Sequence, residues 1–320
     1  MKAKDQGFEE RFKDYLAGLL PESPQAFVVG VSGGVDSMVL LQLLHQNGHT
    51  LWPVHVQYHL RGEDSLKDEA LVAEVCATLG LELKVVQADL GGQKQGVQLK
   101  ARQLRYAAFE QLREEKGAQW LATGHHLDDA LETLWLNLSR GTGLSGLKGI
   151  PARDGHKIRP LRFATAEEIE QFARQKQLAW REDKSNAELK YKRNLVRHKL
   201  LPILKSLNPA WPQSFERSLS KLETSLNIQK QWLHERRNRL MHQDPETGDY
   251  RMLFLEMAAA GVDEHVLSWL LEPYGFTEAQ GRLAWELIGA APGKRLVSPQ
   301  FELIAEKHAL ILQERAKELS

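Results

Sequence analysis

The sequence predicts an α/β domain with a mainly parallel sheet covered by helices on both faces, followed by a mostly helical C-terminal domain. Three observations lead to this fold class. Short β-branched runs alternate with longer amphipathic stretches over the first half of the chain, a Gly-Gly turn joins the first run to a helix, and strand signals become rare after about residue 205. A length of 320 residues also exceeds one ordinary compact domain, so two domains are expected.

The first half supplies the elements of the predicted sheet. Four short runs are predicted to be strands: Phe27–Val31, Trp52–Gln57, Leu83–Val86 and Trp120–Ala122. The stretches that follow them are predicted to be helices: Ser37–Gln46, Ser65–Leu79, Gln98–Lys116 and Leu127–Leu138. Ligands of such sheets bind at the carboxyl ends of the strands, so residues directly after each strand are the first candidates for a site.

The second half of the sequence has few strand signals and mainly helical periodicity. The segment Asn208–Pro212 is rich in helix breakers, and we place the domain boundary there, with residues 1–207 as the N-terminal domain and 208–320 as the C-terminal domain. One long helix is expected over Ser214–Met241. Two further helices are expected near Asp263–Glu272 and Thr277–Gly289. A closing strand pair is expected near Arg295–Ser298 and Ala309–Leu312.

Composition excludes several classes of protein. The single cysteine, Cys76, cannot form an internal disulfide framework or a cysteine-based iron–sulfur or zinc cluster within one chain. No run approaches the roughly 18–20 apolar residues that cross a bilayer, and the N-terminal residues lack the apolar core of a secretory signal. We therefore expect a cytoplasmic protein with no membrane partner. With 42 basic and 42 acidic residues, the net charge gives no support for a nucleic-acid partner, so only local clusters of charge can.

The most informative segment is the turn after the first predicted strand, with the sequence SGGVDS. Its members are Ser32, Gly33, Gly34, Val35, Asp36 and Ser37. Paired glycines let backbone N–H groups approach phosphate oxygens, the helix that follows adds the positive end of its dipole, and Asp36 can hold Mg²⁺ beside a departing diphosphate. No lysine follows the glycines, so a kinase-type P-loop is not indicated. The alternative is a structural Gly-Gly turn between a strand and a helix.

This loop resembles the signature of the N-type ATP pyrophosphatases, the PP-loop superfamily with the adenine nucleotide alpha hydrolase-like fold. Further stretches then resemble one branch, the tRNA(Ile)-lysidine synthetases. They are HVQYHLRG from His55, KARQLRY from Lys100, TGHHLDDALET from Thr123, IRPL from Ile158, W-x-x-D-x-S-N from Trp180 and Y-x-R-N-x-x-R from Tyr191. The resemblance is close over residues 25–205 and loose beyond them.

The resemblance implies a tRNA-modifying ligase that uses ATP and Mg²⁺. Such enzymes adenylate C2 of the wobble cytidine in an isoleucine tRNA with a CAU anticodon. The side-chain amine of free L-lysine then displaces AMP to give lysidine, and the tRNA reads AUA instead of AUG. It also implies that His55, Gly124 and His125 lie near the ATP, together with the SGGVDS loop.

Candidate catalytic residues follow from the same motifs. Asp128 and Glu132 are four residues apart and share one helix face. With Asp129 they could bind an amine or a metal, and one carboxylate could take a proton from the attacking nitrogen. Arg102 or Arg105 could neutralise charge during adenylation, while Tyr106 could stack on a base. Acids in a first helical turn and a solvated arginine face are the structural alternatives.

Local charge supplies the evidence for tRNA. Segment 184–205 carries seven lysines and arginines against the single acid Glu188, with Tyr191 among them. Candidate tRNA-binding residues are Arg61, Lys190, Lys192, Arg193 and Arg197. A second basic cluster comprises Lys230, Arg236, Arg237 and Arg239, and a solvated helix face explains it equally well.

Two rival functions stay open at this point. The chain could be another PP-loop tRNA-modifying enzyme, although thiolases that use paired cysteines do not fit the single Cys76. It could also be a catalytically silent tRNA-binding protein, against which the intact SGGVDS and TGHHLDDALET motifs argue. The oligomeric state, including a homodimer, and the presence of a further C-terminal module are left open.

Overall fold

The chain folds as two compact units, Met1–Leu222 and Glu223–Ser320. A computed structural model describes residues 6–20, 24–58, 63–91, 96–182 and 192–315. Within these ranges no helix is both long and apolar enough to cross a membrane. The boundary near residue 207 that the sequence suggests stays a prediction.

The N-terminal unit is built on a six-stranded sheet in the order β3-β2-β1-β4-β6-β5. Its strands are β1 (Ala26–Gly30), β2 (Thr50–Gln57), β3 (Lys84–Gln87), β4 (Trp120–Ala122), β5 (Arg153–Asp154) and β6 (Lys157–Ile158). All neighbours pair in parallel except the edge strand β5. The predicted α/β class is therefore confirmed, and the strand order reverses between β1 and β4.

The sheet is covered on both faces, as the β-branched runs predict. Along β1, Phe27 and Val29 face one hydrophobic core and Val28 faces the other. Side chains alternate across a strand, so a run that is buried at every position must have a core on each side. Phe109 and Leu112 pack against the second face.

Helices of the N-terminal unit connect and flank these strands. They are α1 (Phe8–Leu19), α2 (Val35–Gln46), α3 (Glu63–Thr78), α4 (Val97–Lys116), α5 (Leu127–Leu138), α6 (Leu144–Leu147), α7 (Ala166–Gln175), α8 (Lys192–Leu195) and α9 (Leu201–Leu207). A π-helical stretch, Val196–Leu200, joins α8 to α9. The four predicted helices match α2 to α5 within two residues, whereas α1 and α6 to α9 were not predicted.

The C-terminal unit combines helices with a five-stranded antiparallel sheet in the order β7-β8-β11-β10-β9. Its helices are α10 (Trp211–Leu240, which begins before the unit), α11 (Phe254–Ala259), α12 (Glu264–Leu271) and α13 (Glu278–Trp285). Its strands are β7 (His242–Gln243), β8 (Tyr250–Leu253), β9 (Arg295–Val297), β10 (Phe301–Ala305) and β11 (Ala309–Glu314). The expected strand pair is β9 and β11, and β10 lies between them. Strands β7, β8 and β10 were not predicted from the sequence.

Candidate active site

The SGGVDS loop leaves the carboxyl end of β1 and enters α2. Gly33 has a φ of +87°, a left-handed conformation that favours glycine. The Ser37 hydroxyl donates to the Gly34 carbonyl at 2.9 Å and accepts from the Ser32 N–H at 3.1 Å, which closes the loop on itself. Gly34 is the N-cap of α2 and has no side chain to cap it, so N–H groups of the first turn are available to an anion.

A second loop, after β4, touches the first. A Cβ atom on Gly124 would lie 3.0 Å from both the Asp36 carbonyl carbon and the Ser37 nitrogen, so only glycine permits this approach of the two backbones. His55, on β2, bonds through Nδ1 to the Val31 carbonyl at 2.9 Å. The carboxyl ends of three adjacent strands therefore meet where the strand order reverses, which is the expected ligand position in an open α/β sheet.

A cavity of about 500 Å³ opens at this edge of the sheet. Most of the predicted site residues line it: Ser32, Gly34, Asp36, Ser37, His55, Arg102, Arg105, Gly124, His125, Arg193 and Arg197. Gly33 and Val35 belong to the same loop but do not line the cavity, and neither do Asp128, Glu132 and Lys192. Arg61 and Lys190 lie outside the described residues.

Behind the cavity, acids of α5 meet bases of the segment that begins with α8. Arg193 donates through Nη2 to Asp129 Oδ1 and through Nε to Glu132 Oε2, both at 2.7 Å. Arg197 donates through Nε to Glu132 Oε1 at 2.5 Å, and Lys205 pairs with Asp128. The Glu132 side chain is completely buried, so its charge depends on these two guanidinium groups. Arg193, Arg197 and Lys205 of the basic segment 184–205 therefore serve as counter-charges to the acids of α5.

The titrating groups at the cavity influence one another strongly. Burial would raise the pKa of Asp129, but His126, His125 and Arg193 hold it well below its usual range. Burial alone would lower the pKa of His126, yet the carboxylates of Asp129, Asp36 and Asp128 outweigh that effect and raise it. His126 Nε2 lies 3.5 Å from Asp129 Oδ2 and 3.9 Å from Asp36 Oδ2, and Nδ1 lies 3.7 Å from Asp128 Oδ2, so three carboxylates surround one imidazole.

His125 and Asp36 carry shifts of a different origin. Burial lowers the pKa of His125 to about 4, so this imidazole is neutral at pH 7, and its Nδ1 bonds the Thr123 hydroxyl at 2.9 Å. Burial raises the pKa of Asp36 to about 6, although about a third of its side chain stays exposed. The cavity thus offers a neutral imidazole, an acid that is readily charged on contact with cations, and a permanently charged Asp129.

Comparisons with known proteins agree with this geometry. A PP-loop domain family matches residues 5–204, and the TilS substrate binding domain matches residues 249–315. The chain is 34% identical over 290 residues to a tRNA(Ile)-lysidine synthase of Bacteroides thetaiotaomicron, a match that covers 89% of this chain and 67% of that protein. The chain belongs to the tRNA(Ile)-lysidine synthase family.

Other relatives of the family extend the comparison. A tRNA(Ile)-lysidine synthase of Porphyromonas gingivalis is 34% identical over 297 residues, with 91% of this chain and 64% of that protein covered. The chain therefore spans about two thirds of the length of these curated relatives. Among solved structures, the U34-tRNA thiolase NcsA from Methanococcus maripaludis matches with a TM-score of 0.56 and 19% identity, over 67% of this chain and 77% of that one. At that identity the likeness shows the fold alone.

For a member of the lysidine synthase family, the sequence motifs did not rank the acids of α5 correctly. Asp129 lines the cavity, whereas the spacing argument selected Asp128 and Glu132 and named Asp129 only beside them. Positions three and four residues apart both share a helix face, so spacing could not separate Asp129 from Asp128 as the partner of Glu132. Arg181, which does not line the cavity but contacts the phosphate loop, was missed altogether. Its N–H donates to the Gly33 carbonyl at 3.0 Å and its Nε to Asp68 Oδ1 at 2.6 Å, a contact that no local motif signals.

Lys192 differs from Arg193 and Arg197 because its side chain is exposed and outside the acid cluster. We expect Lys192→Ala to reduce the slope of log Kd for tRNA against log salt by about 0.7–0.9, the value for one lost phosphate contact, and to leave the melting temperature unchanged. Filter binding between low and moderate salt measures the slope. An unchanged slope would remove Lys192 from the tRNA interface, and Lys13→Ala, at an exposed position of α1, is the matched control.

Proposed function

We propose that the chain adenylates C2 of the wobble cytidine of an isoleucine tRNA with a CAU anticodon and joins free lysine to that carbon. The observation that carries the proposal is one cavity that combines an anion-binding loop, two arginines of α4 and the Asp129–Arg193 pair. It offers a place for a triphosphate, an electrophilic base and a cationic amine within reach of one another. The names of the curated relatives support the same reaction.

The Ser32–Ser37 loop is proposed to bind the phosphates of ATP. Open N–H groups at the start of α2 and the Ser32 hydroxyl are suitable donors to phosphate oxygens. Among the described residues no group of three His, Cys, Asp or Glu side chains is arranged to hold a metal on its own. Mg²⁺ often uses one carboxylate plus phosphate oxygens, and Asp36 fits that role. Bound there, the ion would neutralise charge on the leaving diphosphate.

Arg102 and Arg105 are proposed to bind the negative charge of the activated nucleotide. Both side chains belong to α4 and line the same cavity as the phosphate loop. A guanidinium group remains charged at any relevant pH and can donate two parallel hydrogen bonds to a phosphate. Positioning and charge neutralisation of this kind lower the barrier to formation of the adenylate.

Free lysine is proposed to meet the Asp129–Arg193 pair. Asp129 stays ionised, which suits an ammonium group, and the arginines that line the cavity suit the carboxylate of lysine. The amine must lose a proton before it attacks C2 and displaces AMP. A direct part for Asp128 or Glu132 in that transfer stays a prediction, since both are held by other groups at the back of the site.

The C-terminal unit is proposed to help hold the tRNA. Support comes from the match of residues 249–315 to a substrate binding domain. A tRNA contacted by this unit would still have to place its wobble base in the cavity of the N-terminal unit. The exposed Lys192 is the described candidate for a backbone contact on the N-terminal unit.

The direct test is incubation with isoleucine tRNA transcript, ATP and radiolabelled lysine. We expect label in the tRNA together with AMP and diphosphate, and none with a methionine tRNA transcript that carries the same anticodon bases. AMP formation without label would indicate another PP-loop modification, and tRNA binding without AMP would indicate a silent binding protein. Either result would contradict the proposal.

A further inference from the structure

Tyr106 lies on the cavity wall within a ring of cations. The Arg102 guanidinium carbon is 4.8 Å from the centre of its ring, Lys157 Nζ is 5.3 Å away and the Arg105 guanidinium carbon 6.0 Å. The ring is half-buried and lines the cavity, so part of it is accessible to a ligand. An aromatic ring beside several cations has the chemistry that binds an unstacked base next to its phosphates.

The helix that carries Tyr106 is seated firmly on the sheet. Tyr106 packs edge-on against Phe109, with ring centres 5.9 Å apart. A Cβ atom on Gly30 would lie only 2.6 Å from the Phe109 ring, so Phe109 is in direct contact with the backbone at the end of β1. Through Phe109, the Tyr106 ring is therefore packed against the strand that leads into the phosphate loop.

Lys157 is itself held by Glu110, one turn of α4 after Tyr106. The Glu110 carboxylate lies 3.4 Å from Lys157 Nζ, 2.6 Å from His156 Nε2 and 2.8 Å from Arg113 Nε. Burial would raise the pKa of Glu110, but the bonds from Arg113, His156 and Lys157 lower it to about 2, so it is charged at neutral pH. Glu110 thus ties the β5–β6 hairpin to α4.

We propose that Tyr106 is the platform on which the base of the target nucleotide stacks, and that Lys157, held by Glu110, is a positioning residue that fixes the ring. The inference rests on the proposed function, because it assumes that the base to be modified enters this cavity. Lys157 acts through the ring and not on a phosphate, since its ammonium group is already shared between the Glu110 carboxylate and the Tyr106 ring. Glu110 should affect the Tyr106 ring through its contact with Lys157.

Equilibrium binding of two tRNAs to the full chain tests the idea. One is the unmodified isoleucine tRNA transcript and the other is the same tRNA with an abasic wobble nucleotide. We expect Tyr106→Leu to weaken binding of the intact tRNA about tenfold, Tyr106→Phe less than twofold and Lys157→Met about threefold. The double variant Tyr106→Leu/Lys157→Met should bind the intact tRNA no more weakly than Tyr106→Leu alone. Glu110→Gln should weaken binding about as much as Lys157→Met. None of these variants should differ from the wild type on the abasic tRNA.

Three results would overturn the proposal. The first is a loss of affinity for the intact tRNA in the double variant that equals the product of the fold losses in the two single variants. The second is a salt slope lowered by about 0.7 in Lys157→Met, the mark of a direct contact with a single-stranded phosphate. The third is persistence of the penalties on the abasic tRNA. Lys116→Met is the matched control, because Lys116 is exposed to the same degree as Lys157, 31% against 32%, and lies at the far end of α4.

Binding without turnover separates this proposal from the proposed reaction. Lysine incorporation by the wild type is measured on the same preparation. A wild type that prefers the intact tRNA but incorporates no lysine would contradict the proposed reaction while leaving the stacking platform supported. If the wild type incorporates lysine but Tyr106→Leu binds the intact tRNA as tightly as the wild type does, only the stacking platform is contradicted.

Discussion

Replacement of Asp36 by Asn or Ala is expected to reduce tRNA-dependent AMP formation and lysine incorporation by at least about a hundredfold while leaving the protein folded. The amide and the methyl group lack the negative oxygen that the proposed Mg²⁺ needs at the start of α2. Burial raises the pKa of Asp36 from 3.8 to about 6, so the folded chain holds this proton to higher pH than the unfolded chain. Ionisation of Asp36 therefore lowers the free energy of unfolding as the pH rises from 3.8 to about 6. Above that range, Asp36→Asn should be slightly more stable than the wild type.

Paired measurements of activity and thermal unfolding check this expectation. AMP release and lysine incorporation should be lost in both Asp36 variants, and the melting temperature of Asp36→Asn at pH 7.5 should equal or exceed that of the wild type. Asp14→Asn, at an exposed position of α1, makes the same chemical change away from the cavity and should alter neither quantity. Full activity in Asp36→Asn would refute the role of this carboxylate, and a large fall in melting temperature would show that Asp36 is structural.

The phosphate loop could be predicted because its chemistry is local. Six consecutive residues between a buried strand and an apolar helix define the turn, the dipole and the carboxylate together. The parallel sheet was equally accessible, because burial on both faces leaves continuous β-branched runs such as Phe27–Val31. Helix α1 was missed although its apolar residues recur at helical spacing, with Phe8, Phe12 and Leu16 on one face. What the sequence could not show is where that face packs: Phe8 stacks on Phe172 and Phe12 packs against Phe163.

The charge pairing at the site could not be predicted from spacing. Arg193 and Arg197 lie in a basic run that resembles a solvated surface, and only the fold brings them to Asp129 and Glu132, more than 60 residues earlier. The same limit applies to Arg181 and Gly33, which meet through a backbone hydrogen bond between distant segments. Sequence patterns report periodicity along one element, whereas these contacts depend on how separate elements pack.

The largest effect on stability is expected from removal of both guanidinium groups that neutralise Glu132. The double variant Arg193→Met/Arg197→Met leaves a completely buried carboxylate without its cations, and it should lower the free energy of unfolding by about 3–5 kcal/mol. Each single variant should cost much less, since the remaining arginine still contacts Glu132. Chemical denaturation measures the change, and Lys192→Met, an exposed lysine in the same segment, is the control.

A third substitution separates the loss of counter-charge from simple loss of packing. Adding Glu132→Met to the double variant removes the unpaired buried charge, so most of the lost stability should return, as it does when a buried ion pair is replaced by apolar side chains. Lysine incorporation should not return, because Arg193 and Arg197 also line the cavity where the lysine carboxylate is proposed to bind. A double variant as stable as the wild type would show that these arginines do not neutralise Glu132. Recovery of both stability and activity in the triple variant would mean that the cluster only supports the fold and that lysine binds elsewhere.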